Sequence, residues 1–347
     1  MPHPRVFEHS GLVGRIAIPL AIIIATLTSP AGAQAPLSPL PVDASATAEP
    51  AAQPMSEWER FVYDRTARMT VPVSINGTAA VPFIIDTGSE RTVISRELAA
   101  SLTLPAAQSM LLATVSGPVI AESYRIRDLA NGGFAVSDIV APALARRHMG
   151  IDGLIGIESI SDKIIVFDFA EQRMMVLPAR GTPMRIANRE DAIIVTAKRK
   201  NGRLILSDAR IQGRRVDLVI DTGSQSSVGN LALKRMMAAR TDAAAGMPSS
   251  LIDVGGTSVA TETNAIPEIT IGNVTLTHLP IAYADSYALD VLGLGKRPAI
   301  LLGMDALSLF DRVEIDFRRR KVKFVMPEGT ERKKIRRQPT RLGTERI

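Results

Sequence analysis

The sequence predicts a mainly β fold made of two copies of one unit, which can pack about a pseudo-twofold axis. Two repeated blocks carry that expectation. Ile75-Asn76-Gly77 followed by Val81-Pro82-Phe83-Ile84-Ile85-Asp86-Thr87-Gly88-Ser89 returns as Ile211-Gln212-Gly213 followed by Val216-Asp217-Leu218-Val219-Ile220-Asp221-Thr222-Gly223-Ser224. Further along, Leu154-Ile155-Gly156 and Val166-Phe167-Asp168-Phe169 return as Leu301-Leu302-Gly303 and Glu314-Ile315-Asp316-Phe317. Order, character and, within one residue, the spacing inside the first block are kept, as a duplicated supersecondary unit requires.

Taken in chain order, residues 1–33 read as an export signal. Arg5 and Arg15 give a weakly basic start, Ile16 to Leu27 form an apolar stretch, and Ala31-Gly32-Ala33 fits a small-x-small cleavage site. The expected destination is the periplasm or the exterior, with a mature chain starting near Gln34. An uncleaved membrane tether is the alternative, but the apolar run is shorter than the roughly 20 residues that span a bilayer. Residues 34–69 read as an Ala/Pro-rich linker too poor in core-forming residues to fold alone, ending in a short amphipathic helix suggested by the spacing of Trp58, Phe61 and Val62.

The two units are expected over residues 70–180 and 186–328. Asn76-Gly77 and Gln212-Gly213 sit between β-rich runs and read as hairpin turns. Phe83-Ile84-Ile85 and Leu218-Val219-Ile220 are apolar runs that stop abruptly at Asp-Thr-Gly-Ser, as buried strands entering a sharp loop would. Each aspartate is thus delivered at the end of a rigid apolar element. A carboxylate there is costly unless it is hydrogen-bonded or shares a proton. The loop offers a remedy: glycine brings backbone amides close, and the Thr and Ser hydroxyls can donate to the carboxylate. About a twofold axis Asp86 and Asp221 can meet, and would then titrate as a pair holding one proton.

The doubled Asp-Thr-Gly-Ser, each copy followed by an apolar-apolar-Gly block, resembles the pepsin and retropepsin superfamily of aspartic peptidases. The likeness runs over about residues 70 to 327. It implies two retropepsin-like β-barrel units and an endopeptidase whose catalytic residues are Asp86 and Asp221. It assigns Thr87 and Thr222 to bracing the two loops, Gly88, Ser89, Gly223 and Ser224 to the same loops, and Gly156 and Gly303 to the loops that support the catalytic strands. It also implies flaps over the cleft, placed at Met110 to Ile126 and Leu251 to Thr263, with Ser116, Gly117, Gly255 and Gly256 as candidate tips. No cofactor or metal is implied. The substrate would be a polypeptide, and the enzyme a monomer with an intramolecular dyad.

Departures from that pattern limit what carries over. Val71 to Pro178 spans 108 residues and Leu204 to Pro327 spans 124, so each copy is closer to a retropepsin subunit than to a pepsin lobe. No tyrosine lies at either flap tip, and Glu90-Arg91-Thr92 differs from Gln225-Ser226-Ser227. Two rival readings stand beside the enzyme: a non-catalytic envelope adaptor that grips peptides in the same cleft, and a dyad formed between chains.

Other chemistry finds little footing. The chain has no cysteine, and His3, His9, His148 and His278 lack metal-ligand spacing. Leu292-Gly293-Leu294-Gly295-Lys296 does not match a phosphate loop. The formal charge of +6 is uneven: residues 318–347 carry +9 and residues 1–33 carry +1, leaving −4 on the body between. The basic tail, residues 329–347, is expected to be a solvated end, with weak contact to an anionic envelope surface as the alternative. It has no aromatic residues for stacking on nucleic acid, which is not expected as a partner. Asp168 and Asp316, though repeated, are expected to be structural.

Overall fold

The two halves are joined by a single sheet to which both contribute. The computed structural model describes residues 58–60, 62–63, 68–181, 192–239, 246–327, 335–336 and 345–346. All of these lie in the compact unit Ala51–Ile347. The expected export signal, and the linker up to residue 57, lie outside the described residues. No helix among the described residues is long and apolar enough to cross a membrane.

The shared sheet has six strands in the order Glu59–Arg60, Arg173–Pro178, Lys163–Asp168, Arg312–Asp316, Lys321–Val325 and Ala192–Thr196. At its centre Ile164 pairs with Asp316 and Asp168 with Arg312, one strand from each half. Asp168 and Asp316 are buried here. Asp168 accepts a hydrogen bond from Arg312 at 2.6 Å, and Asp316 one from Arg319 at 2.7 Å. Asp168 thus ties the two central strands together, Asp316 secures the turn after its own strand, and neither lines the cavity over the cleft.

Within the segment expected as a short helix, Glu59–Arg60 and Val62–Tyr63 are instead strands, while Phe61 lies outside the described residues. Glu59 and Arg60 pair with Met174 and Arg173, and Val62 and Tyr63 pair with Thr70 and Met69. Helical spacing of three apolar residues is outweighed by two open sheet edges that satisfy the backbone. Trp58 anchors this start: the Arg173 guanidinium lies 4.3 Å and that of Arg312 5.4 Å from its ring centroid. The segment is thereby fastened to strands of both halves.

The first half is an eight-stranded sheet. Val81–Ile85 runs parallel to Gly153–Ile155, which is antiparallel to Val93–Ser95, itself parallel to Phe134–Leu144. The second half repeats this crossing: Arg214–Ile220 beside Ala299–Leu302, then Val228–Asn230, then Val274–Ala284. The strand before each aspartate is therefore central, buried and paired on both sides. Gln212 and Gly213, with φ of 49° and 78°, form the expected tight hairpin turn. Asn76 and Gly77 adopt the same φ signs, but the next strand starts only at Val81.

The expectation of barrels needs correcting. The first sheet folds back on itself only at Ser74↔Ala130 and Ile75↔Leu129, and the second only at Arg210↔Thr270. One or two residue pairs supply too few backbone hydrogen bonds to close either sheet into an even barrel. The basic tail also departs in part from a solvated end: backbone of Ile335–Arg336 pairs with Leu276 and Thr277, and Glu345–Arg346 with Leu251 and Ile252.

Candidate active site

Each Asp-Thr-Gly-Ser loop leaves its strand under tight backbone control. The Asp86 amide donates to the Ile155 carbonyl at 2.9 Å, and the Asp221 amide to the Leu302 carbonyl at 3.0 Å. These bonds extend the parallel pairing by one residue and fix where each carboxyl emerges. The loops then turn inward. Asp86 Oδ1 accepts from the amides of Gly88 (2.8 Å) and Ser89 (3.0 Å), while Asp221 Oδ1 accepts from those of Gly223 and Ser224, both at 3.1 Å.

The structure brings the two loops into direct contact. Thr87 Oγ1 donates to the Ile220 carbonyl at 2.8 Å and accepts from the Thr222 amide at 3.1 Å. Thr222 Oγ1 does the reciprocal, donating to the Ile85 carbonyl at 2.6 Å and accepting from the Thr87 amide at 3.1 Å. The sequence-based expectation that the Thr and Ser hydroxyls would donate to the carboxylates is corrected here. Only backbone amides within each loop reach Oδ1; Ser89 and Ser224 hydroxyls donate to the Arg91 and Ser226 carbonyls. Replacing Thr222 by Val keeps the shape but strands the Thr87 amide and the Ile85 carbonyl. Two orphaned buried groups should cost roughly 2–4 kcal/mol, read as a lower urea midpoint; an unchanged midpoint would show that the bracing is dispensable.

Each carboxyl lies against the glycine of the opposite loop. A Cβ built on Gly88 would fall 2.5 Å from Asp221 Cγ, and one on Gly223 would fall 2.3 Å from Asp86 Cγ. The symmetry of that packing sets Asp86 and Asp221 side by side, each 8% exposed. Gly156 and Gly303 are equally constrained, since a Cβ would meet the Arg91 carbonyl carbon at 2.1 Å and the Ser226 carbonyl carbon at 2.6 Å. Their amides bond to Thr92 Oγ1 (3.2 Å) and Ser227 Oγ (3.0 Å), which ties each support loop to the loop it backs.

Electrostatics follow from this enclosure. Burial pushes Asp86 up, against the opposing pull of the Gly88 amide and Arg203. Asp221 is pushed up to about 7, by burial first and by the charge of Asp86 second. Two carboxyls raised together are a pair that keeps one proton well above the ordinary carboxylate range.

Two arginines of the site were not singled out from sequence. Arg68 and Arg203 each stand 18 residues before an aspartate, and both line the cleft. Arg203 reaches from the second half into the first, donating to the Gly88 carbonyl and, at 2.8 Å, to Glu90. Arg68 donates to the Met149 carbonyl at 2.6 Å. The equal spacing was a readable signal, but an arginine beside a polar strand start has many commoner uses. The difference between Glu90 and Gln225 has a concrete consequence: the Arg203 ion pair exists on one side of the twofold only.

The expected flap segments form hairpins. Ala106–Ala113 pairs with Pro118–Asn131, and Met247–Ile252 with Ser258–Ile271. Ser116 and Gly117 lie at one tip, Gly255 and Gly256 at the other, with Gly117 and Gly256 at φ of 146° and 90°. Residues Leu112 to Val115 and Asp253 to Val254 roof a cavity of about 90 Å³ over the two carboxyls. On the Asp86 side the cleft continues as a groove of about 480 Å³ lined by Glu90, Met110, Leu111, Tyr287 and Val291.

A family model described as aspartyl protease matches this chain twice, over residues 71–159 and 207–306, together more than half of it. The chain belongs to the aspartyl protease family. The two matches bracket the two Asp-Thr-Gly-Ser loops separately, as two fused copies of a retropepsin-like unit require. No match was found among curated proteins. Membership fixes the ancestry of the site.

Proposed function

We propose that this chain is an aspartic endopeptidase that hydrolyses polypeptides with Asp86 and Asp221 as catalytic residues. The observation that carries the reading is the reciprocal seating of each carboxyl on the opposite loop's glycine, within one chain. Raised together, the pair holds one proton where a lone exposed carboxyl would have lost it. The ionised member takes a proton from a water held between the two, and that water attacks the scissile carbonyl. The protonated member donates toward the carbonyl oxygen, and the tetrahedral adduct collapses as the proton passes to the leaving amine. No covalent bond to the protein forms. Arg203 draws the charge of both carboxyls downward in pKa, which keeps one of them ionised.

Both halves of the pair come from one chain, so a monomer suffices, acting after export to the periplasm or exterior. The adaptor reading would leave the buried carboxyl pair without use, since an apolar cleft floor would grip a peptide at lower cost. The test is incubation of the full chain with a denatured protein, with and without a hydroxyl-bearing transition-state mimic of peptide hydrolysis. Cleavage blocked by the mimic is expected; binding without cleavage would favour the adaptor.

The pH profile is expected to follow the proton on the pair. As pH rises through about 7, Asp221 loses it, and kcat/KM should then fall about tenfold per unit. The maximum should lie on the acidic side of neutrality. A rate still climbing at about pH 8 would contradict the shared-proton mechanism.

A further inference from the structure

The two flaps are fastened to each other at their tips. Asp253, at the turn of the second flap, is 1% exposed. Its Oδ2 accepts from Thr114 Oγ1 at 2.6 Å, from the Ser116 amide at 3.2 Å and from the Ser116 hydroxyl, all on the first flap. Its Oδ1 accepts from the Thr257 amide at 3.0 Å, within its own turn. One carboxylate therefore serves both tips. Burial pushes this group up, but the Ser116 and Thr114 hydroxyls and the Thr257 and Ser116 amides outweigh that and hold it below the usual carboxylate range.

The apolar residues beside these contacts are exchanged between the halves. Val115 of the first flap packs into the second half's cluster with Leu289, Leu292 and Leu301, and its carbonyl accepts from the Tyr287 amide at 3.0 Å. Val254 of the second flap packs against a first-half cluster that includes Ile84, Ala121, Met149 and Leu154. Both valines line the cavity over the carboxyl pair. At about 90 Å³ that cavity has room for a few waters, whereas pockets that enclose organic ligands run to several hundred Å³.

We infer that Asp253 is a positioning residue that locks the two flaps into one lid, so that the cleft admits a polypeptide only when both flaps release together. This rests on the reading of the cleft as the substrate site. With the lock closed, Val115 and Val254 occupy the walls that substrate side chains would use, so a bound polypeptide and the closed lock exclude each other. The free enzyme is then held mostly in a state that cannot bind. Apparent affinity is reduced by the fraction that is open.

Backbone hydrogen exchange on the full chain tests this without any substrate. In Asp253→Ala, exchange should rise by about tenfold or more in both flaps, the size expected from losing a charge-assisted bond. In Thr114→Val/Ser116→Ala, which leaves the Asp253 turn intact, exchange should rise across the gap in residues 251–258. A change confined to the mutated flap in either variant would overturn the lock. Kinetics on any cleaved peptide give a second readout: Asp253→Ala should lower KM about tenfold. An unchanged or higher KM would also overturn it. Failure to cleave any peptide would count against the peptidase reading alone, and the exchange result would still decide the lock.

Discussion

Replacing either Asp86 or Asp221 by Asn should lower peptide hydrolysis about a thousandfold or more while the protein stays folded. Asn preserves the shape and can still accept the two loop amides through its carbonyl, so the backbone that positions it has no reason to move. What it removes is the proton inventory. With Asn at one position the pair can no longer hold one ionised and one protonated carboxyl, so either water activation or donation to the carbonyl oxygen is lost. Stability should move the other way. The folded Asp221 keeps its proton up to about pH 7, whereas an unfolded carboxyl releases it near the ordinary value of 3.8. Folded protein therefore binds more protons across that window, and stability falls as pH rises through it. At pH 8 Asp221→Asn should be more stable than wild type by roughly 2–4 kcal/mol, since the neutral amide avoids burying a second charge. Near pH 3 the difference should vanish. Urea unfolding at the two pH values, beside an activity assay, separates the effects; an Asn variant with near-normal turnover would remove the residue from the mechanism.

Gly88→Ala and Gly223→Ala should be nearly as damaging to activity for a different reason. Neither glycine has a positive φ, so the backbone would accept alanine. The obstacle is the carboxyl opposite: an added methyl would sit 2.5 Å from Asp221 Oδ1 in one case and from Asp86 Oδ1 in the other. Contacts of that length cannot persist, and the aspartate is held by amides of its own loop, so the two halves must part by about 1 Å. Misplacement on that scale costs on the order of a hundredfold in rate. Because the interlocked threonines oppose the same movement, some stability should be lost too. Activity within about twofold of wild type in either variant would mean that the carboxyls do not need this spacing.

Much of the architecture was legible because it is written twice. The doubled Asp-Thr-Gly-Ser and the doubled Leu-Ile-Gly or Leu-Leu-Gly blocks place strands, turns and carboxyls in register before any coordinates. The hairpins over the cleft were implied by the resemblance to aspartic peptidases, which placed them in the interval between those blocks. What was not legible depends on contacts between distant parts of the chain. Trp58 and its neighbours are extended because sheet edges from residues 69–70 and 173–174 are available to them, which periodicity cannot register. The Thr87 and Thr222 hydroxyls donate instead to the carbonyls of Ile220 and Ile85 in the opposite half, acceptors that only the packing of the two halves supplies. Arg203 acts across the twofold on Glu90, a partner 113 positions earlier in the chain. Asp253 stands in no repeated block, and its bonds to Thr114 and Ser116 exist only once the two flaps meet.

The central claim, that the two halves of one chain supply one working pair, is tested most directly by mixing. Equimolar Asp86→Asn and Asp221→Asn proteins, combined at high concentration and assayed on a substrate that wild type cleaves, should remain inactive, because each chain carries its own defective pair. Substantial recovery of activity in the mixture would show that the pair is assembled between chains and would contradict this account.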